Sequence, residues 1–150
     1  MTTIELQSSA FSDHEFVPRR YALEGDNVSP PLAWSGVPDD AAELVLLCED
    51  PDAPSGNFVH WIVVGIDPHS TGVDAGQRPP GGTDLVNGYG LPGWGGPHPP
   101  PGDESHHYVF RLYALKEPCA LPDAPRADEV RQTVEKHELA DGTLVGLYHR

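Results

Sequence analysis

The chain has 150 residues, among them 16 glycines and 17 prolines, and a formal net charge of -14 at pH 7. This length fits a single domain, residues 1–150, with a hydrophobic core of its own. The acidity disfavours nucleic acids and anionic membrane surfaces as partners, because both are bound through clustered lysine and arginine.

Nothing in the sequence predicts insertion into a membrane. No stretch is apolar for long enough to cross a bilayer, and the first residues lack the basic and apolar segments of a signal peptide. We therefore expect a cytoplasmic protein. The two cysteines, Cys48 and Cys119, are too few for a disulfide framework and are expected to stay free.

Strand patterns dominate the chain in sequence order. Alternating or continuous apolar runs predict strands at 4–7, 43–49, 58–66 and 107–115, and a last strand or short helical turn at 144–148. The run 58–66 is apolar on nearly every residue and is expected to be central. One helix is predicted at 128–136, where Val130 and Val134 share a face. Many strands with one late helix predict a mainly β, sandwich-like fold.

Two stiff, proline-rich segments each lead into an apolar strand. The first is Asp-Pro-Asp-Ala-Pro at 50–54, followed by His60, and the second is Gly-Gly-Pro-His-Pro-Pro-Pro-Gly at 95–102, followed by His-His-Tyr at 106–108. Binding sites are commonly built on such loops, because the scaffold fixes the groups that the loop presents.

The histidines of these segments are candidates for a site. Side chains alternate along a strand, so His106 and Tyr108 share a face and His107 points to the other one. His60 lies in an apolar strand, where its N–H needs a partner, and Asp50 or Asp52 is the expected one.

The second segment offers few backbone donors. Its prolines have no N–H, so only Gly95, Gly96 and His98 remain as donors there. Together with two imidazoles and a phenol, these groups predict a small pocket for an anion such as phosphate or a carboxylate.

Three functions stay open at this point. The first is a non-enzymatic binding module without a cofactor, since the sequence contains no activated nucleophile, no phosphate-gripping lysine and no complete zinc motif. The second is a hydrolase, in which His60, His106 and an aspartate hold a metal or act as acid and base. The third is an inhibitor of a kinase or protease that binds its protein partner through the proline-rich loop. A homodimer also stays open.

Six segments together resemble the phosphatidylethanolamine-binding protein family, in its bacterial and archaeal, Raf-kinase-inhibitor-like branch. They are the stretch 27–34, the run 50–54, His60-Trp61, the stretch 96–100, the run 106–108 and the C-terminal stretch 144–150.

The resemblance implies a large antiparallel sheet packed on a smaller one, with one or two short helices near the C-terminus. It implies a small anion pocket lined by Asp50, His60, His106 and Tyr108, with 96–99 as its backbone wall. Gly96, His98 and Pro99 are the wall residues. The expected ligand is phosphate or a phosphorylated head group, and some family members inhibit kinases or proteases.

Two departures and one backbone feature complete the comparison with the family. Relatives usually have cysteine at His98 and arginine at His107, and the missing arginine implies weaker phosphate binding. The run 50–54 must turn sharply between two strong strands, so we expect a cis peptide at Ala53–Pro54, in agreement with the resemblance.

Overall fold

Ten strands and one α-helix form the regular structure of residues 2–150, which the computed structural model describes. A single 3-10 turn spans Arg19–Tyr21, and the helix is α1 (Ala127–His137). The strands are β1 (Thr2–Thr3), β2 (Glu5–Gln7), β3 (Glu15–Phe16), β4 (Leu32–Ser35), β5 (Glu43–Asp50), β6 (Phe58–Ile66), β7 (Gly72–Val73), β8 (Thr83–Asp84), β9 (His106–Leu115) and β10 (Glu138–Tyr148).

The strands form two sheets. The large sheet has the order β1-β10-β9-β5-β6-β8, with β3 also paired to β10, and the small sheet has the order β2-β4-β7. The long strands β10, β9, β5 and β6 pair antiparallel, as predicted, whereas the two-residue strands β1 and β3 run parallel to β10. The predicted mainly β fold with two sheets is confirmed.

Strand β5 is buried on both faces because hydrophobic layers cover both sides of the large sheet. Leu44, Leu46 and Cys48 face the small sheet and join the core that contains Trp34. Val45 and its neighbours on the other face pack toward the helix. A strand covered on both sides reads as a continuous apolar run, which is the pattern that Leu44 to Cys48 shows.

The helix α1 packs on the outer face of the large sheet through Val130 and Val134, which are buried. The carboxylate of Glu129 accepts a hydrogen bond from the backbone N–H of Arg126 at 3.0 Å and so closes the first turn. Arg131 forms an ion pair with the buried Glu49 of β5, which ties the helix to the sheet. The helix predicted at 128–136 is confirmed and is one residue longer at each end.

The position predicted for the strand 58–66 is wrong in part. Strand β6 has the predicted bounds and is covered on both faces, but it is not central, because only the two-residue strand β8 lies beyond it. The centre belongs to β9 and β5, which pair with each other along seven residues. An apolar run predicts that both faces of a strand are buried, but it does not predict how many strands lie beyond that strand in the sheet.

The predicted cis peptide at Ala53–Pro54 is wrong, since none of the peptide bonds between described residues is cis. The chain reverses there by other means. The backbone N–H of Asp52 donates to Oδ1 of Asp50 at 2.8 Å, and the N–H of Gly56 donates to the carbonyl of Ala53 at 2.9 Å. Gly56 takes a φ of 102°, which only glycine adopts readily, so a trans proline suffices for the turn.

Both cysteines are free, and Cys48 is buried in the core, as predicted. No helix formed by the described residues is long and apolar enough to cross a membrane.

The buried face of α1 gives a testable consequence. Val130→Ala removes two methyl groups from a packed site and is expected to lower the free energy of unfolding by about 2 kcal/mol. Gln132→Ala is the matched control, because Gln132 lies on the exposed face of the same helix and should change the value by less than about 0.5 kcal/mol. Urea unfolding measures both variants, and equal losses would contradict the helix placement.

Candidate functional site

The Asp-Pro-Asp run binds the two adjacent histidines at the start of β9. Strands β5 and β9 pair with Glu49 opposite Val109, so Asp50 at the end of β5 lies beside the beginning of β9. Oδ2 of Asp50 accepts a hydrogen bond from Nδ1 of His106 at 2.7 Å, and Oδ2 of Asp52 accepts one from Nδ1 of His107 at 2.7 Å. The spacing of the two carboxylates therefore matches that of the two imidazoles.

His106 is held between two carboxylates. Besides Asp50 on Nδ1, Oδ2 of Asp103 lies 3.1 Å from Nε2. Carboxylates only accept, so both ring nitrogens donate and the ring is an imidazolium. Burial lowers the pKa of His106, but the hydrogen bonds to Asp50 and Asp103 outweigh burial and raise the pKa above its ordinary value. His106 therefore stays charged to a higher pH than an ordinary histidine.

His60 has the opposite protonation preference. Its Nδ1 donates to the backbone carbonyl of Gly95 at 2.6 Å, and its own carbonyl accepts the N–H of Gly95 at 3.0 Å. Burial lowers the pKa of His60, and the hydrogen bond to Gly95 and the charge of Asp50 only partly offset it. The ring is therefore neutral, with Nδ1 as donor and Nε2 as the acceptor.

The partner predicted for His60 is thus wrong. Asp50 bonds to His106 and Asp52 bonds to His107, while His60 bonds to a backbone carbonyl. The sequence placed the aspartates closer to His60 along the chain, but the antiparallel pairing of β5 with β9 brings them to the other histidines.

Aromatic rings enclose His60 on several sides. The ring centroids of Phe58, Tyr108 and Tyr89 lie 4.9, 5.1 and 5.9 Å from that of His60. Tyr89 comes from the long loop after β8, and the buried Asn87 shapes this loop by accepting from the N–H of Tyr89 and donating to the carbonyl of Gly93. Such low-polarity surroundings disfavour a charged imidazole, which explains the lowered pKa.

The Gly-Gly-Pro segment forms the wall behind His60 and uses its polar groups internally. The N–H of Gly96 donates to Oδ1 of Asn27 at 2.8 Å, and its carbonyl accepts from the Tyr89 hydroxyl at 2.7 Å. A Cβ at Gly96 would lie 2.3 Å from the carbonyl oxygen of Tyr21, so only glycine fits. The prediction that Gly95 and Gly96 offer free backbone donors is wrong, because both N–H groups are bonded within the protein.

The C-terminal residue supports the proline-rich loop from outside. Nε of Arg150 donates to the carbonyl of Pro99 at 2.6 Å, and the carbonyl of Arg150 lies 3.5 Å from the backbone nitrogen of Gly102. The C-terminal stretch therefore fixes the loop that carries His98 and Asp103.

These groups surround a cavity of about 200 Å³ at one end of the large sheet. Of the predicted site residues, Asp50, His60, His98, Pro99, His106 and Tyr108 line it, with His98 exposed at its rim, and Gly96 lies behind the wall. Residues that the sequence prediction missed complete the lining: Ala53, Pro54, Ser55, Phe58, Tyr89 and Pro100. Ala53, Pro54 and Pro100 lie in the two proline-rich segments that the sequence singled out, whereas Ser55, Phe58 and Tyr89 lie outside them.

One residue that lines the cavity has a buried polar atom without a partner. The hydroxyl of Tyr108 is buried and makes no hydrogen bond to any described residue. Burial raises the pKa of Tyr108 strongly, and the nearby Asp50 carboxylate raises it further, so the phenol remains a neutral donor. A buried hydroxyl without a partner is costly, and a ligand or water in the cavity would satisfy it.

The metal-binding set of the hydrolase alternative, His60, His106 and an aspartate, does not come together. Among residues 2–150, no group of three or more His, Cys, Asp or Glu side chains is arranged to hold a metal ion. Nδ1 of His60 is turned to the Gly95 carbonyl, and both nitrogens of His106 already contact carboxylates.

Comparison with known proteins agrees with this architecture. The family model described as phosphatidylethanolamine-binding protein matches residues 7–149. A Methanothermobacter thermautotrophicus protein named UPF0098 protein is 43% identical over 152 residues, covering 98% of this chain and 99% of that protein.

Two crystal structures show the same fold. A phosphatidylethanolamine-binding protein homologue from Chlamydia trachomatis, CT736, is 32% identical with a TM-score of 0.91, covering 100% of this chain and 99% of that one. Escherichia coli YbcL, described as a member of the mammalian PEBP family, is 28% identical with a TM-score of 0.91, covering 98% of each chain.

The pairing of Asp50 with His106 predicts a measurable change in pKa. Asp50→Asn removes a carboxylate that favours the imidazolium, so the pKa of His106 is expected to fall, as measured by NMR titration of the ring protons. Since the raised pKa stabilises the fold below the ordinary value of about 6.5 and this contribution is lost as pH rises through the folded pKa, the variant should also lose stability at acidic pH.

The control for this measurement is Asp52→Asn, which removes a neighbouring carboxylate that bonds to His107 instead. It should leave the pKa of His106 nearly unchanged. A pKa that falls equally in both variants would show that general charge, and not the bond from Asp50, sets it.

Proposed function

The chain belongs to the phosphatidylethanolamine-binding protein family, and we propose that it is a non-enzymatic binding protein whose cavity takes a small phosphate-bearing group. The observation behind the proposal is the juxtaposition, at one cavity, of a buried imidazolium, a neutral imidazole and a phenol hydroxyl that lacks a partner.

Tyr108 is the donor best placed to receive the ligand. Tyr108 lines the cavity, and its buried hydroxyl is unbonded among the described residues and stays protonated because its pKa is strongly raised. A phosphate oxygen that accepts this hydrogen bond would satisfy a group that is otherwise buried at a cost.

His60 adds a complementary acceptor. Since Nδ1 donates to the Gly95 carbonyl, the neutral ring offers Nε2, which accepts and does not donate. The monoanion of a phosphate monoester carries one P–OH group that would donate to this nitrogen, whereas its dianion carries none. The cavity therefore favours the monoanion of such an ester over its dianion.

His106 supplies the positive charge of the site. Because its pKa is raised, the ring stays protonated to a higher pH than an ordinary histidine. Phosphate affinity is therefore expected to fall only as the pH rises through that raised pKa. His60 gains charge only below its lowered pKa and would strengthen binding further in acid. Protonation of either histidine therefore strengthens phosphate binding, so the affinity rises as the pH falls.

The size of the cavity limits the ligand. A volume of about 200 Å³ is below the roughly 300–1,000 Å³ typical of pockets for drug-sized molecules. A phosphate with a short substituent fits this volume, whereas an acyl chain does not.

We also propose that the protein acts in the cytoplasm, because two free cysteines agree with a reducing compartment.

A matched pair of tyrosine variants tests the proposal. Tyr108→Phe removes only the unpartnered hydroxyl, so it should keep or slightly raise the free energy of unfolding while weakening inorganic phosphate binding about tenfold at pH 6. Tyr113→Phe is the control, because Tyr113 lies on the same strand but packs on the opposite face of the sheet. Titration calorimetry measures both, and unchanged affinity in Tyr108→Phe would refute the proposed contact.

The absence of turnover is a second expected outcome. The cavity contains no activated nucleophile, and its proline-rich wall uses the Gly95 and Gly96 N–H groups internally, which leaves little to stabilise a developing oxyanion. Purified protein should therefore leave p-nitrophenyl phosphate and p-nitrophenyl acetate unhydrolysed. Hydrolysis that disappears in both His60→Ala and His106→Ala would contradict the proposal of a binding protein and would show that the protein is a hydrolase.

A further inference from the structure

His106 has only two N–H groups, and both are occupied by carboxylates of this chain. Nδ1 donates to Asp50 at 2.7 Å and Nε2 donates to Asp103 at 3.1 Å. The imidazolium therefore has no free donor for a phosphate. An anion that pairs with His106 must first take the place of one of the two carboxylates.

Asp50 is the fixed partner of the two. Its side chain is 4% exposed, and its second oxygen accepts the backbone N–H of Asp52 at 2.8 Å. Removing it from His106 would leave a buried carboxylate without its main partner, which is strongly unfavourable.

Asp103 is the exchangeable partner. Its side chain is 43% exposed, and it follows Gly102, whose φ of 87° is in the left-handed region, in a loop without regular structure. It also lines a shallow surface groove, together with Asp52, Glu104 and His106 itself. An exposed carboxylate regains water when it is released, so its bond to His106 is weak in net terms.

We propose that Asp103 is an internal competitor of the ligand, an acidic residue that occupies Nε2 of His106 and is displaced when a phosphate binds there. This inference rests on the proposed phosphate-binding function. Asp103 lowers the affinity of the site and thereby sets the phosphate concentration at which it fills. While Asp103 remains on Nε2, its charge also repels an approaching anion, so competition and repulsion act in the same direction.

The test compares two variants that change the net charge by the same amount at adjacent positions. Asp103→Asn removes the competing carboxylate, whereas Glu104→Gln removes a neighbouring exposed carboxylate that does not bond to His106. Calorimetric titration with inorganic phosphate is carried out at pH 6, below the ordinary histidine pKa of about 6.5, where the protonated form of His106 is favoured.

Asp103→Asn is expected to bind phosphate about three- to tenfold more tightly than the unmodified chain, and Glu104→Gln to stay within about twofold of it. Equal tightening in both variants would overturn the proposal in favour of a general charge effect. Unchanged or weaker binding in Asp103→Asn, with phosphate still bound by the unmodified chain, would overturn the competing role of Asp103 and leave the proposed phosphate binding in place. If none of the three proteins binds phosphate, the proposed function fails and the competitor fails with it.

A measurement without ligand checks the contact itself. The pKa of His106, followed by NMR, should fall in Asp103→Asn and stay the same in Glu104→Gln. An unchanged pKa in Asp103→Asn would show that Asp103 does not pair with His106 in solution and would also overturn the proposal.

Discussion

A protonated imidazole between two carboxylates is the interaction on which the rest of this site depends. Asp50 ends one central strand and His106 begins its neighbour, so their bond fixes how two loops meet at the end of the large sheet. The same bond contributes to the charge of the site, because together with the bond to Asp103 it outweighs the burial that lowers the pKa of His106. The contact between Asp50 and His106 therefore affects both the arrangement of the loops and the charge of the site. The exposed Asp103 is a second carboxylate on His106, and it is displaced more easily than Asp50.

The two histidines differ in protonation state because their surroundings differ. His60 is enclosed by aromatic rings and pinned by Gly95 through two reciprocal hydrogen bonds, so it is neutral and keeps an acceptor. His106 is surrounded by acidic groups and carries a charge. A site with one cation, one acceptor and one unbonded phenol hydroxyl matches the monoanion of a phosphate monoester, and this match supports the proposed ligand despite the strongly acidic chain.

The sequence predicted the strands β5, β6 and β9, the helix and half of the residues that line the cavity, because each rests on a local signal. Apolar runs mark β5, β6 and β9, and two proline-rich segments mark the loops that meet at the site. The pairing of the aspartates was not predictable from spacing, since it depends on which strands are neighbours. Residues such as Asn27 and Arg150 also escaped prediction, because their hydrogen bonds to the wall join distant parts of the chain.

The most direct measurement of how phosphate binds is a crystal structure of the protein grown at about pH 6, close to the ordinary histidine pKa, with inorganic phosphate in excess. We predict phosphate in the cavity, with one oxygen on the Tyr108 hydroxyl, another on Nε2 of His106, and the Asp103 carboxylate moved away. Asp50 should remain on Nδ1 of His106. A cavity without phosphate, or phosphate bound elsewhere while Asp103 stays on His106, would contradict this prediction.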